Sequence, residues 1–400
     1  MKNWFKNVGP GVMVSAAFIG PGTVTLCTLA GVKFGFTLLW AMTLSIIATV
    51  VLQEMSARVG IITQKGLAEV IKEQITSPVL KKLTIALILA AIVIGSAAYE
   101  AGNISGASLG IAAIAGTPSF NFYPIIIGII AFILLYIGNY KILERSLIVL
   151  VITMSISFLL TAIITKPNIG LMLKGMFVPT FPDKSMLTII GLIGTTVVPY
   201  NLFLHASLVK EKWKHQGDLK FARKDTLISI ILGGFVSMAI IIAATAINGQ
   251  DVNNAVDLAK GLEPLYGGFA KYFLGIGLFA AGITSAITAP LAAAYVANSC
   301  FGWDENLKNS KFRIVWLFIL ALGVLFSSLQ INPIEIIKFA QVANGLLLPI
   351  IALFLLWIVN KTTVLGKYKN KLGQNIISGI IILITIVLGF KAILKVFELL

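Results

Sequence analysis

Charge is what this 400-residue sequence has least of: Asp, Glu, Lys and Arg together make 12% of it, against 58% hydrophobic residues. A mean hydropathy of +0.96 over such a length leaves far more apolar surface than a soluble domain can bury, so the chain reads as a polytopic membrane protein. Cysteine and histidine are scarce as well, with two of each. Cys27 and Cys300 lie far apart in apolar segments, which leaves no disulfide framework and no cysteine-based metal spacing. His205 and His215 are the only histidines, so no His-Cys-carboxylate cluster of catalytic spacing exists, and an enzyme is disfavoured. No G-x-x-x-x-G-K-[ST] run is present, and transport driven by a bound nucleotide finds no support. No cofactor is expected.

Basic residues outnumber acidic ones by 31 to 16. They fall in short loops between apolar runs and make no continuous stripe interleaved with aromatics, which sets nucleic acid aside as a partner. A helix needs about 20 apolar residues to cross a bilayer, and on that rule about eleven spans are expected. They lie near 8–32, 36–59, 83–112, 122–139, 147–165, 186–209, 226–248, 270–300, 313–330, 335–359 and 374–397. With the N-terminus inside, most Lys and Arg occupy inner segments, including the cluster in "KEKWKHQGDLKFARKD". The positive-inside rule therefore places the N-terminus in the cytoplasm and the C-terminus outside, in a membrane expected to be the bacterial cytoplasmic one. The basic N-terminal start resembles a signal peptide, but its hydrophobicity runs past any cleavage site and reads as a retained first span. No stretch between spans is long enough for a core of its own, so residues 1–400 form a single membrane domain.

Within this apolar background "FIGPGTVTLC", residues 18–27, is out of place. Glycine costs a helix interior about 1 kcal/mol relative to alanine, and proline about 3, so Gly20-Pro21-Gly22-Thr23 should break the first span. The sixth span carries a counterpart, Gly194-Thr195-Thr196 followed by Pro199-Tyr200-Asn201, and its proline stands at the same depth from the span start. Two breaks at matching positions predict a five-plus-five repeat, approximately 8–165 and 186–359, with an extra helix at approximately 374–397. With five spans in each half, the second must be inverted relative to the first. Paired interrupted helices in inverted halves point to a transporter's binding site. Backbone freed near Gly20–Thr23 and Thr195–Pro199 must then face a polar cavity or a ligand.

Five segments extend the pattern: "NVGPGVMVSAAFIGPGT", "LQEMSARVGIITQKGLAEVI", "GTTVVPYNLFLHASLV", "GLFAAGITSAITAPLAAAYV" and "AQVANGLLLPIIALFLL". In content, order and spacing they resemble the natural-resistance-associated macrophage protein (Nramp) family of proton-coupled manganese and iron transporters. The resemblance covers spans one to ten. It implies an all-α LeuT fold with helices one and six broken. The family's metal signature is altered here. Its Asp-Pro-Gly-Asn corresponds to Gly20-Pro21-Gly22-Thr23, and its Met-Pro-His to Val198-Pro199-Tyr200. Both prolines are kept, but the carboxylate and the thioether are gone, so no residue is assigned as a metal ligand. Gln341 matches a family glutamine that approaches the metal, and His205 matches the family's second sixth-span histidine.

A bare divalent ion in a low-dielectric cavity needs anionic or otherwise strong ligands to offset lost hydration, and hydroxyls from Thr23, Thr195 and Thr196 are poor substitutes. Helix N-termini around a neutral cavity suit an anionic group instead. The favoured cargo at this level is a small anion or zwitterion held by the two breaks. The alternative is a divalent cation, partly hydrated, with Glu100 or Gln341 supplying oxygens. Glu100, mid-span in "GSAAYEAGNISGAS", is a candidate for proton coupling because an intramembrane carboxyl is costly to keep without a role. His205 is a second candidate, since imidazole titrates near neutral pH. Thr284, Ser285 and Thr288 form a hydroxyl cluster on span eight where a coupling Na+ would be held in LeuT-fold carriers. Glu54 and Arg58, four residues apart, read as a local ion pair.

Overall fold

The computed structural model describes residues 9–11, 19–118, 120–138, 141–247, 252–303 and 309–396. Every regular element among them is helical. In chain order these are α1 (Pro21–Phe34), α2 (Leu39–Thr63), the short amphipathic α3 (Leu67–Glu73), α4 (Pro78–Ala115), α5 (Tyr123–Ile137) and α6 (Lys141–Ile164). A surface helix α7 (Ile169–Phe177) follows, then α8 (Met186–Thr196), α9 (Pro199–Lys212), α10 (Leu219–Ala244), α11 (Ala270–Phe301), α12 (Ser310–Ser328), α13 (Pro333–Val359) and α14 (Leu372–Val396). Among the described residues nine helical stretches are long and apolar enough to cross a bilayer, with α5 a shorter apolar tenth. Each expected span from the second to the eleventh coincides with one of them, and α8 and α9 together make the sixth. Of the first span, only residues 9–11 and the part from Ile19 onward are described.

Helices follow from the solvent: in hydrocarbon every backbone N–H and C=O must be satisfied within the segment. The side-chain distribution follows from the same constraint. Ile129, Ile133, Leu232, Phe235, Leu383 and Phe390 stand exposed on the flanks, where lipid would cover them. Thr23, Gln53, Glu100, Asn201, His205 and Gln341 are buried at the centre. The longest helix, α4, runs through the middle and packs on α11, α13 and α12. Its small residues allow this, Gly102 lying against Ala340 and Gly110 against Gly275.

Two of the expected spans are interrupted, and proline sterics explain where. The residue before a proline is pushed out of the α region, and proline itself fits the first helical position. Gly20, before Pro21, is extended at φ −104° and ψ −174°. Val198, before Pro199, is extended at φ −80° and ψ 122°, and Val197 is also non-helical at φ −94° and ψ 76°. The breaks are shorter than the sequence suggests. Pro21, Gly22 and Thr23 already form the first turn of α1, and Thr195 and Thr196 still belong to the last turn of α8. Proline alone is insufficient, because Pro290 in α11 and Pro349 in α13 leave their helices continuous. Those two follow Ala289 and Leu348, strong helix formers, whereas Pro21 follows glycine and Pro199 follows two β-branched valines.

The Glu54–Arg58 pair is present at 3.0 Å and is part of a larger knot. Arg223 of α10 also reaches Glu54, at 2.8 Å, while Arg58 donates to the Tyr368 carbonyl at 2.8 Å and to Asn370 Oδ1 at 2.7 Å. The segment after α13 is thereby pinned to the end of the bundle that carries the basic α9–α10 connection.

Candidate functional site

The two breaks meet. Thr23, in the first turn of α1, and Thr195, in the last turn of α8, share a hydrogen bond of 2.7 Å between their hydroxyls, across 172 residues of chain. Both are buried. Helix α13 passes close to both breaks and brings Gln341. The Gln341 amide lies where a Cβ on Gly22 would have to go, and the Gln341 backbone carbonyl lies where a Cβ on Gly194 would go. These glycines are required by close approach: any side chain would push α13 away from the breaks.

Around this crosspiece the polar side chains are neutral and under-used. Gln341 Oε1, both side-chain heteroatoms of Asn201 and the Tyr200 hydroxyl are buried with no protein hydrogen-bond partner among the described residues. Buried polar groups without partners are uncommon, and a cluster of them marks a place that water or a ligand fills. The expected lining residues Gly20, Pro21, Gly22, Thr23, Thr195, Val198, Tyr200, Asn201 and Gln341 all lie at or next to the breaks and are buried. Thr196 departs from expectation: its hydroxyl donates to Leu192 O at 3.0 Å and toward Met42 Sδ at 3.7 Å, so it serves its own helix and α2.

Glu100 is fully buried on α4. Asn103 donates to its Oε2 at 3.4 Å, and Oε1 has no partner among the described residues. Gly323 of α12 lets that helix pack directly on the carboxyl side chain. The preceding residue, Tyr99, sets its ring edge-on to Tyr200 with centroids 5.4 Å apart. Tyr200 thus joins the second break to the neighbourhood of Glu100.

His205 stands one turn after Asn201 on α9. Its Nδ1 donates to Gln53 Oε1 of α2 at 2.9 Å, leaving Nε2 and Gln53 Nε2 without partners among the described residues. The hydroxyl cluster on α11 is divided. Thr284 and Thr288 bond back to carbonyls of their own helix, at 3.0 Å to Ala280 and 2.8 Å to Thr284, as hydroxyls in apolar helices do. Only the Ser285 hydroxyl is buried and without a partner among the described residues.

Sequence reasoning missed Gln53 and Asn344. Both polar atoms of Asn344 are buried without partners among the described residues, one turn along α13 from Gln341. A signal existed: Ser45, Thr49, Gln53 and Ser56 recur at helical spacing on α2, a polar stripe on an otherwise apolar helix. The stripe faces the broken sixth span. Ser45 donates to Ile193 O at 3.5 Å above the break, while Gln53 meets His205 and Ser56 donates to Leu202 O below it.

No group of three or more His, Cys, Asp or Glu side chains that could hold a metal ion occurs among the described residues. What the fold and the site define is a membrane transporter with the LeuT fold, its two broken helices meeting at a buried neutral polar centre. Comparisons with known proteins narrow the class. The family model described as "Natural resistance-associated macrophage protein-like" matches residues 11–395. The chain is 30% identical over 415 residues to a Mesorhizobium japonicum protein named divalent metal cation transporter MntH, covering 97% of this chain and 89% of that one. A Bacillus subtilis protein of the same name is 27% identical over 404 residues, covering 98% and 92%. Among solved structures, the Eremococcus coleocola manganese transporter in complex with an aromatic bis-isothiourea substituted compound superposes with a TM-score of 0.79 at 19% identity, over 97% of this chain and 86% of that one. MhsT in complex with L-phenylalanine superposes at 0.59 and 17% identity, over 96% and 97%. The chain belongs to the Nramp family.

Proposed function

We propose that the protein carries a divalent metal cation across the membrane by alternating access, and that the cation crosses the centre with part of its hydration shell in place. The names of the relatives weigh toward a cation and away from the anion or zwitterion favoured by the sequence. The observation that carries the proposal is the set of neutral polar side chains at and beside the breaks: the bonded hydroxyls of Thr23 and Thr195, and the side chains of Asn201 and Gln341, whose oxygens have no protein partner among the described residues.

Such donors are hard and weak. They cannot replace the whole hydration shell of a divalent ion, so water must complete the coordination. Without the family's methionine sulfur, the preference for softer transition metals is lost, and a hard oxygen-seeking ion such as Mg2+ or Ca2+ competes on better terms with Mn2+. Glu100, one residue from the Tyr99–Tyr200 contact, is the carboxyl placed to take up and release a proton during the cycle. The halves, residues 8–165 and 186–359, are the bodies that rock around the fixed breaks, with the N-terminus in the cytoplasm and the C-terminus outside.

The test is thermal unfolding of the purified protein with Mg2+, Ca2+, Mn2+, small anions and amino acids, followed by uptake into proteoliposomes of whichever ligand raises the melting temperature. Stabilisation by divalent cations, with Mg2+ or Ca2+ at least matching Mn2+, supports the proposal. Stabilisation by an anion or amino acid alone overturns it and restores the reading based on helix N-termini.

A further inference from the structure

The tripeptide Gly-Pro-Gly occurs twice near the start of the chain, at 9–11 and at 20–22. The second occurrence makes the first break. The first is held by a single side chain from the other half of the molecule: Asp225, at the start of α10, accepts from Gly9 N through Oδ1 at 3.0 Å and from Gly11 N through Oδ2 at 2.7 Å. We propose that Asp225 is a latch on the cytoplasmic side of the transporter, closed in the state seen here, and that it must release residues 9–11 before the centre opens to the cytoplasm.

Several observations meet at this contact. Both carboxylate oxygens are engaged, each by a backbone donor, and an ionised acceptor makes such hydrogen bonds stronger than neutral ones. Pro10 lies between the two donors and has no N–H, so the carboxylate takes the N–H groups that flank it. Pro10 and Gly11 have helical backbone. The seat admits nothing larger than glycine. A Cβ on Gly9 would collide with the carboxylate, and one on Gly11 would come within 2.8 Å of Oδ2 and 3.0 Å of the Asp225 backbone.

The contact joins residues 216 positions apart, one in each half of the proposed repeat. Rocking of one half or bundle against the other is how such folds alternate access, and a contact across the moving parts breaks and re-forms in each cycle. Its location suits a cytoplasmic gate, because Lys212 at the end of α9 and Arg223 and Lys224 in the first turns of α10 lie near Asp225, among the basic residues that the positive-inside rule places on that side. The closed latch also agrees with the burial of the centre, where Thr23, Thr195 and Asn201 are inaccessible.

The latch is independent of the identity of the cargo, and so is its test. In a background with Cys27 and Cys300 replaced by alanine, a reporter cysteine is placed by Asn201→Cys and labelled with a membrane-impermeant maleimide, in vesicles of either orientation. Asp225→Ala and Gly11→Ala, which remove the contact from opposite sides, should each raise the labelling rate from the cytoplasmic face by roughly tenfold as the population shifts toward the open state. Labelling from the other face should fall or stay level. Asp225→Asn, which keeps one acceptor and loses the charge, should lie between. Melting curves in parallel identify any variant that fails to fold, in which case the remaining two decide. Labelling at the parental rate in the folded variants overturns the latch, and so does a rise at both faces, which would mean general loosening.

Discussion

Gly20 and Val198 stand where the family's metal-binding signature has a carboxylate and a thioether, and at each the backbone is held extended by the proline that follows. The altered chemistry is therefore presented on an unaltered frame. Gly20→Asp combined with Val198→Met should strengthen Mn2+ binding at least about tenfold over the parent, because it restores an anionic oxygen and a soft sulfur. Calorimetry checks this, and an unchanged affinity would show that surrounding residues have also diverged. Glu100→Gln keeps shape and much of the hydrogen bonding but cannot titrate. It should leave cargo binding nearly intact and flatten the pH dependence of uptake; a parental pH profile would shift attention to His205. Gly194→Ala drives a methyl into the Gln341 carbonyl, an overpacking that should cost about 1–3 kcal/mol and lower the melting temperature measurably.

At this scale the sequence was legible wherever a residue's own covalent chemistry decides the outcome. Pro21 and Pro199 mark the restarts of α1 and α9, and Glu54 and Arg58 pair within one helix. It was illegible wherever two distant segments decide jointly. Nothing local told that Thr23 would meet Thr195, that His205 would choose Gln53, or that Thr196 would turn away from the centre.

Among the elements, the broken sixth span carries the clearest prediction. Pro199→Ala removes both the steric bar on Val198 and the missing N–H, so α8 and α9 should draw together into one continuous helix. Uptake should fall sharply while the melting temperature holds or rises. A variant with full transport would mean that the break is not needed for the cycle. The span boundaries were legible because hydrophobic length is set by the bilayer. The breaks came out shorter than expected because Thr195 and Thr196 stay within the hydrogen-bonded last turn of α8. Helix α5 has only 15 residues, about 22 Å by helical rise, which is less than the hydrocarbon thickness of roughly 30 Å. The bilayer there must thin or its neighbours must cover the difference.

For the whole molecule, the eleven spans expected from the sequence would put the two chain ends on opposite faces. An epitope tag after Leu400 should be reached from outside intact cells, and one before Met1 only after permeabilisation. The same face for both would overturn the span count or the orientation. Accumulation of cargo against its gradient in proteoliposomes, driven by a proton or sodium gradient, would separate a carrier from a passive channel.

The polar stripe of α2 has a mechanical consequence. Ser45 grips the broken span above the gap through Ile193 O, while Gln53 and Ser56 grip it below through His205 and Leu202 O. A rod cracked through and strapped across the crack resists separation of its two pieces. The joint at Val197–Val198 is therefore bridged by α2 on both sides of the gap, while Gly194 and Thr195 tie α8 alone to α13 and α1. The two pieces of the broken span are thus held to a common partner by a row of hydroxyls and amides on α2.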